Sequence, residues 1–179
     1  MVRPSHGAWR AALASLTIAG ALCAATPAAA ATRTRPPASS LLQSRELWAT
    51  VDVCNPPDER NTVGIRGSMP GDGRARDTMY MRFQLQYLQA KGGWASLARD
   101  GDSGFIALGG ARTTRQGGTS FQLMGVKGRP AYTLRGVVTF QWRRGARVLH
   151  EVTRTTTAGH RSAADADPPG YSTAQCRIG

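Results

Sequence analysis

Residues able to do covalent chemistry are few in this 179-residue chain, and the most reactive combination lies near its end: His160, Ser172, Cys176 and Arg177, in that order. A thiol attacks as its thiolate, which needs a base to lower its pKa and a donor to hold the oxyanion that forms. His160 and Arg177 are the residue types for those two tasks. Cys176 also has a structural use, because Cys54 is the other cysteine left once an N-terminal export segment containing Cys23 is removed. An even pair in an oxidising compartment is most simply one disulfide, and a bridged Cys176 has no thiol to attack with. Gly101-Asp102-Ser103-Gly104 is a second candidate, since glycines beside a serine free the backbone to form an oxyanion hole. The alternative there is a tight Asp-Gly turn between strands.

The order His160, Cys176, Arg177 resembles cell-wall transpeptidases with a cysteine nucleophile, although Gln175 stands where that signature has glycine and no histidine directly precedes the cysteine. The 101–104 segment is similar to the nucleophile segment of trypsin-like serine proteases. That family places its histidine before the serine, whereas His150 and His160 both follow Ser103, and Phe105-Ile106 replaces the expected Gly-Pro. Metal chemistry finds less support. Asp100-x-Asp102 opens like a calcium loop, but the later ligand positions fall on Gly104 and Ala111. His150 and Glu151 are adjacent on a predicted strand and point to opposite faces. No CxxC, HExxH or His-x-His spacing occurs, nor a phosphate-binding glycine loop, so neither a metal nor a cofactor is expected.

The remaining chemistry is charge. Lys plus Arg number 23 against 11 acids, and only Lys91 and Lys127 are lysines. Arg74-Ala75-Arg76, Arg112, Arg115, Arg129, Arg135 and the Arg143-Arg144-Gly145-Ala146-Arg147 hairpin tip fall in predicted turns, where their side chains stay solvated. Such a domain is drawn to anionic wall polymers or other polyanions, and Arg143, Arg144, Arg147, Arg74 and Arg76 are the candidate contacts. Tyr132, Phe140 and Trp142 share the core parity of their strand, so the arginines are not expected to interleave with exposed aromatics. Specific nucleic-acid recognition is therefore not expected. A basic surface with no cognate partner fits the same composition.

These residues must be carried by a domain that begins after an export signal. Arg3, His6 and Arg10 precede the 15-residue apolar run Ala11–Ala25, too short to span a bilayer comfortably, and Ala28–Ala31 offers small residues for cleavage. Cys23 lacks the flanks of a lipid-anchored cysteine. The expected organisation is a signal peptide over 1–31, a flexible leader over 32–44 and one domain over 45–179, secreted or at the cell envelope, with no transmembrane segment in the mature chain. With Arg3 and Arg10 gone the charge is +10.

Period-two alternation bounded by Gly, Pro, Asn and Asp makes that domain all-β. Strands are predicted at 47–53, 62–69, 79–87, 94–97, 105–108, 120–124, 132–142, 147–156 and 171–178. The best is 79–87, where Met79, Met81, Phe83, Leu85 and Tyr87 alternate with Tyr80, Arg82, Gln84 and Gln86. Gly92-Gly93, Gly109-Gly110 and Gly117-Gly118 read as turns. The Cys54–Cys176 disulfide would tie the first strand to the last.

Tyr132-Thr133-Leu134, following Gly128-Arg129-Pro130, resembles the start of the penultimate strand of an immunoglobulin-like domain, and the hairpin carrying Trp142 is similar to the last hairpin of secreted bacterial immunoglobulin-like modules. The resemblance covers 45–179 and implies a two-sheet antiparallel sandwich, with an eight-stranded jelly roll as the rival architecture. It implies a monomeric, non-catalytic binding or structural module of unknown ligand. The alternative function is an envelope hydrolase or cysteine transpeptidase using Cys176 and His160.

Overall fold

Alternating apolar and polar residues form strands wherever one face can be buried, and nine strands lie among the described residues. The computed structural model describes residues 37–124 and 131–179. The expected signal peptide, residues 32–36 of the expected leader and the Gly128-Arg129-Pro130 segment lie outside the described residues. A helical turn, α1 (Ala38–Leu42), is followed by β1 (Trp48–Cys54), β2 (Thr62–Met69), β3 (Arg74–Leu88), β4 (Trp94–Ser96), β5 (Asp102–Ala111), β6 (Arg115–Gln122), β7 (Tyr132–Arg144), β8 (Arg147–Thr155) and β9 (Cys176–Ile178). Among the described residues no helix is long and apolar enough to cross a membrane.

Two antiparallel sheets result. The smaller has the order β1-β2-β6. In the larger, β3 and β7 pair over ten residues at the centre, β4 and β5 share the free side of β3, and β8 and β9 share the free side of β7. The inner faces meet in one core: Val51, Val63, Ile65 and Met69 from the smaller sheet, Met79, Met81, Phe83, Leu85, Val138, Phe140 and Trp142 from the larger. The buried indole N–H of Trp142 donates to the Pro70 carbonyl at 2.9 Å, which satisfies its one polar atom at the β2–β3 crossing. Gly67 allows the sheets to approach, since a Cβ there would lie 2.9 Å from the Met81 sulfur and 3.1 Å from the Phe140 ring.

Three local readings of the sequence are corrected. The described part of the leader expected to be flexible over 32–44, residues 37–44, packs on the domain, because Leu41 is buried and Leu42 packs on the core beneath a hydrogen bond from Arg154 to its carbonyl. β5 and β6 are longer than the predicted strands and absorb their glycines. Gly104 and Gly109 have φ of 64° and 102° inside β5, where its register with β3 shifts, so these glycines mark bulges and not strand ends. Tyr132 shares the parity of the core but is 42% exposed, because parity fixes the face of a strand and not whether that face is covered at the strand's first residue.

Residues 156–175 join β8 to β9 and fold back over the outer face of the smaller sheet. Val51 and Thr173 exchange both backbone hydrogen bonds, and Thr157 and Asp167 donate to the carbonyls of Ala49 and Asp52. This strap occupies the edge of β1, the position at which an open sheet would otherwise recruit another strand. It also buries polar residues that alternation assigns to solvent: Thr50, Asp52 and Ser68 are all under 4% exposed.

Candidate functional site

The cysteine chemistry resolves first. Cys54 at the end of β1 and Cys176 in β9 form a disulfide with Cα atoms 5.5 Å apart, joining the two sheets near both chain ends. A sulfur in that bridge is not a thiolate, so the His160–Cys176 combination has no nucleophile in this state. His160 belongs to the strap. Its ring stacks on Trp48 at 4.6 Å, its Nε2 is 2.8 Å from the Thr157 hydroxyl, and its backbone N–H donates to Ser172. Burial lowers its pKa, which favours the neutral ring that the stack uses.

Ser103 is likewise a structural residue. It accepts from the Phe83 N–H at 2.9 Å and donates to the Gly104 carbonyl. Residues 99–101 make a single 3-10 turn, and Asp102 begins β5 with its carboxylate gripped by Arg82, by Gln84 at 3.1 Å and by the Gly104 N–H at 2.9 Å. Those donors, Arg82 foremost, hold its pKa at about 2. Beneath the strap, Asp52 accepts from Arg66 at 2.9 Å while Arg66 also reaches Asp165 at 3.1 Å. Burial nevertheless pushes the Asp52 carboxyl up, and its Oδ1 has no hydrogen-bond partner among the described residues.

The candidate polyanion arginines divide into two kinds, which corrects the expectation that all are solvated turn residues. Arg144 is structural: its guanidinium forks onto Asp77 with contacts of 2.6 and 2.8 Å, and the Asp77 side chain has no solvent exposure. Arg74 and Arg76 open β3 instead of lying in the turn, with Arg76 and Arg147 exposed. Arg143 is on the outer face of the larger sheet, where its guanidinium carbon sits 4.2 Å from the Tyr80 ring centre and 4.5 Å from that of Phe105.

That face carries a second such arrangement. Arg135 lies 4.3 Å above the ring of Trp94, and Arg82 is 6.0 Å from Phe105. Arginines and aromatics are therefore interleaved, contrary to the parity argument. The partner rings are not those of β7 but Tyr80 on β3, Phe105 on β5 and Trp94 on β4. Sequence reasoning overlooked these rings, although the strict alternation of 79–87 does place Tyr80 on the solvent side. A cation over a ring face is worth about 0.5–1 kcal/mol at exposed sites and holds the planar group in a fixed orientation.

The two outer faces differ in what they offer. On β1 and β2 the outward residues Trp48, Thr50, Asp52 and Ser68 are buried under the strap, whereas on β3 the outward Thr78, Tyr80, Arg82, Gln84 and Gln86 are all half-exposed. The outer face of the larger sheet is the candidate binding surface. Among the described residues Arg135 and Arg143 make no ion pair, while Arg66, Arg82 and Arg144 do.

No protein-family model and no curated protein matches this chain. Among solved structures it is similar to Pseudomonas fluorescens alkylpurine DNA glycosylase AlkC bound to DNA containing an abasic site analog, with 10% identity and a TM-score of 0.31, a resemblance too slight to define fold or function. The match covers 62% of this chain and spans 29% of that one.

Proposed function

We propose that this chain is a secreted, non-catalytic immunoglobulin-like module that binds an anionic polymer of the envelope or its surroundings through the outer face of its larger sheet. The observation that carries the reading is Arg143 held between Tyr80 and Phe105 without a carboxylate partner. A guanidinium fixed by packing and not neutralised by a neighbour loses little entropy when an anion arrives.

The strand order supports the immunoglobulin-like assignment over a jelly roll. The first, second and sixth strands share one sheet and the third, seventh and eighth the other, the partition of the A-B-E and C-F-G strands of an immunoglobulin domain, with β5 moved onto β3. The cross-sheet bridge differs, linking β1 to β9. Export is supported by the disulfide together with the basic and apolar pattern of residues 1–31.

Retention on an immobilised polyanion tests the binding reading. Elution should move to lower salt for the Arg135→Ala/Arg143→Ala double variant, since exposed charges are screened beyond about 8 Å at physiological ionic strength. Unchanged elution of a folded double variant would sink it.

A further inference from the structure

Resting on that reading, the structure assigns a narrower ligand class to the same face: we infer that it takes a polysaccharide in which carboxylated sugars alternate with neutral ones. Arg135 and Arg143 are built alike. Each commits its Nε–H to a glutamine oxygen, Arg135 to Gln86 at 2.8 Å and Arg143 to Gln141 at 2.5 Å, and each lies against an aromatic ring. Their terminal nitrogens make no hydrogen bond among the described residues. A guanidinium with Nε occupied and both terminal nitrogens open presents the end-on fork that a planar carboxylate accepts in two parallel hydrogen bonds.

The spacing of the two forks argues for sparse charge. Both lie on outward positions of β7, eight residues apart, which is about 27 Å along an extended strand. Between them the face offers no unpaired cation among the described residues: Arg82 is paired with Asp102, and Glu151 accepts only from the neutral Gln141 amide. A duplex, with one charge per ~1.7 Å of axis, would place many phosphates over this interval with no free cation to meet them and Glu151 to repel them. What the interval does offer is hydroxyl and amide groups. Thr139 and Thr153 sit with their oxygens 3.1 Å apart at the centre of the face, and Gln84 stands one outward position beyond Arg82. Such groups pair with sugar hydroxyls, and Trp94 and Tyr80 supply apolar surface for the sugar ring.

Hyaluronan oligosaccharides, with one carboxylate per disaccharide, are the probe, compared at one ionic strength with oligo-dT, polyphosphate and neutral dextran by affinity electrophoresis or calorimetry on the full chain. Hyaluronan should bind tightest, and Arg135→Ala and Arg143→Ala should each weaken it by about tenfold or more. Arg143→Lys should also weaken it, because an ammonium keeps the charge and loses the fork. Circular dichroism and an intact disulfide establish that each variant is folded. Tighter binding of oligo-dT or polyphosphate, lost in the same variants, would overturn the sugar assignment while leaving the polyanion face standing. Hyaluronan binding unchanged in the arginine variants, or equal binding of dextran, would also overturn it, and no binding by any polymer would remove both readings.

Discussion

Arg144 reaches from the end of β7 across to Asp77 on β3, and its Nε and one terminal nitrogen hold the two oxygens of a carboxylate that has no solvent exposure. This pairing holds the Asp77 carboxyl below its ordinary pKa. The relationship separates two environments within one hairpin, because Arg144 is tied to a buried carboxylate while Arg143 next to it lies on the outer face and Arg147 is exposed.

The first prediction follows from that division. Arg144→Ala leaves a buried carboxylate without its cation, so its urea midpoint should fall clearly below that of the wild type. Arg147→Ala should leave the midpoint unchanged within error. Equal midpoints for the two variants would show that Asp77 finds another partner.

Acid should expose the Arg82–Asp102 pair. Asp102 has a folded pKa of about 2, below its ordinary value of 3.8, so the folded state binds its proton more weakly than the unfolded state does. The contribution is then fully present above pH 4 and is lost as pH falls towards 2. With the Asp102 and Arg82 side chains 22% and 38% exposed, solvent screening reduces it to about 1 kcal/mol. Asp102→Asn should be less stable than wild type at pH 6 and converge with it near pH 2. A constant difference across that range would assign the effect to packing.

Why some of this was legible and some not is physical. The strand carrying Met79 to Leu85 was readable because one of its faces is buried and the other open, which writes itself as strict alternation. β2 was readable to the residue because Asn-Pro-Pro-Asp and Pro-Gly-Asp-Gly bound it. The extents of β5 and β6 were not, because a glycine at a bulge and a glycine at a turn look the same locally. Gly117 and Gly118 lie within β6 where the side chains of Leu108 and Arg66 pass over them, a long-range cause. The strap has no periodicity at all, so its burial of Thr50 and Asp52 left no mark in sequence. Arg143 was visible as a charge, but its rings come from Tyr80 and Phe105, and only the register of β5, β3 and β7 brings them together.

Gly64 gives a sharp test of the strap. A Cβ there would lie 2.7 Å from Asp52 Oδ1 and 2.8 Å from the Val53 Cβ, the second of which cannot rotate away. Asp52 is already disfavoured as a charged group by burial, and displacing it would disturb its bond to Arg66 and the strap contact at Asp167. Gly64→Ala should therefore cost about 1–3 kcal/mol in urea unfolding, in the range of overpacking changes. A neutral substitution would mean that β1 and β2 can separate locally without loss.

The disulfide carries the last prediction, because it decides between a structural and a reactive Cys176. The bridge closes a span of 122 positions between the first strand and the last, and in the chain-entropy account a loop of that length destabilises the unfolded ensemble by about 5 kcal/mol. Denatured, unreduced mature protein should therefore present no reactive thiol, reduction should release two, and Cys54→Ser/Cys176→Ser should unfold at clearly lower urea. The proposed polyanion-binding face lies on β3, β4, β5 and β7 and contains neither cysteine, so the double variant, assayed where it is still folded, should keep its salt-dependent retention on a polyanion. Loss of retention would couple the bridge to the binding face. Native alkylation of Cys176 with Cys54 also free would instead remove the bridge, and a Cys176 thiolate would then become available for His160 to act on as base.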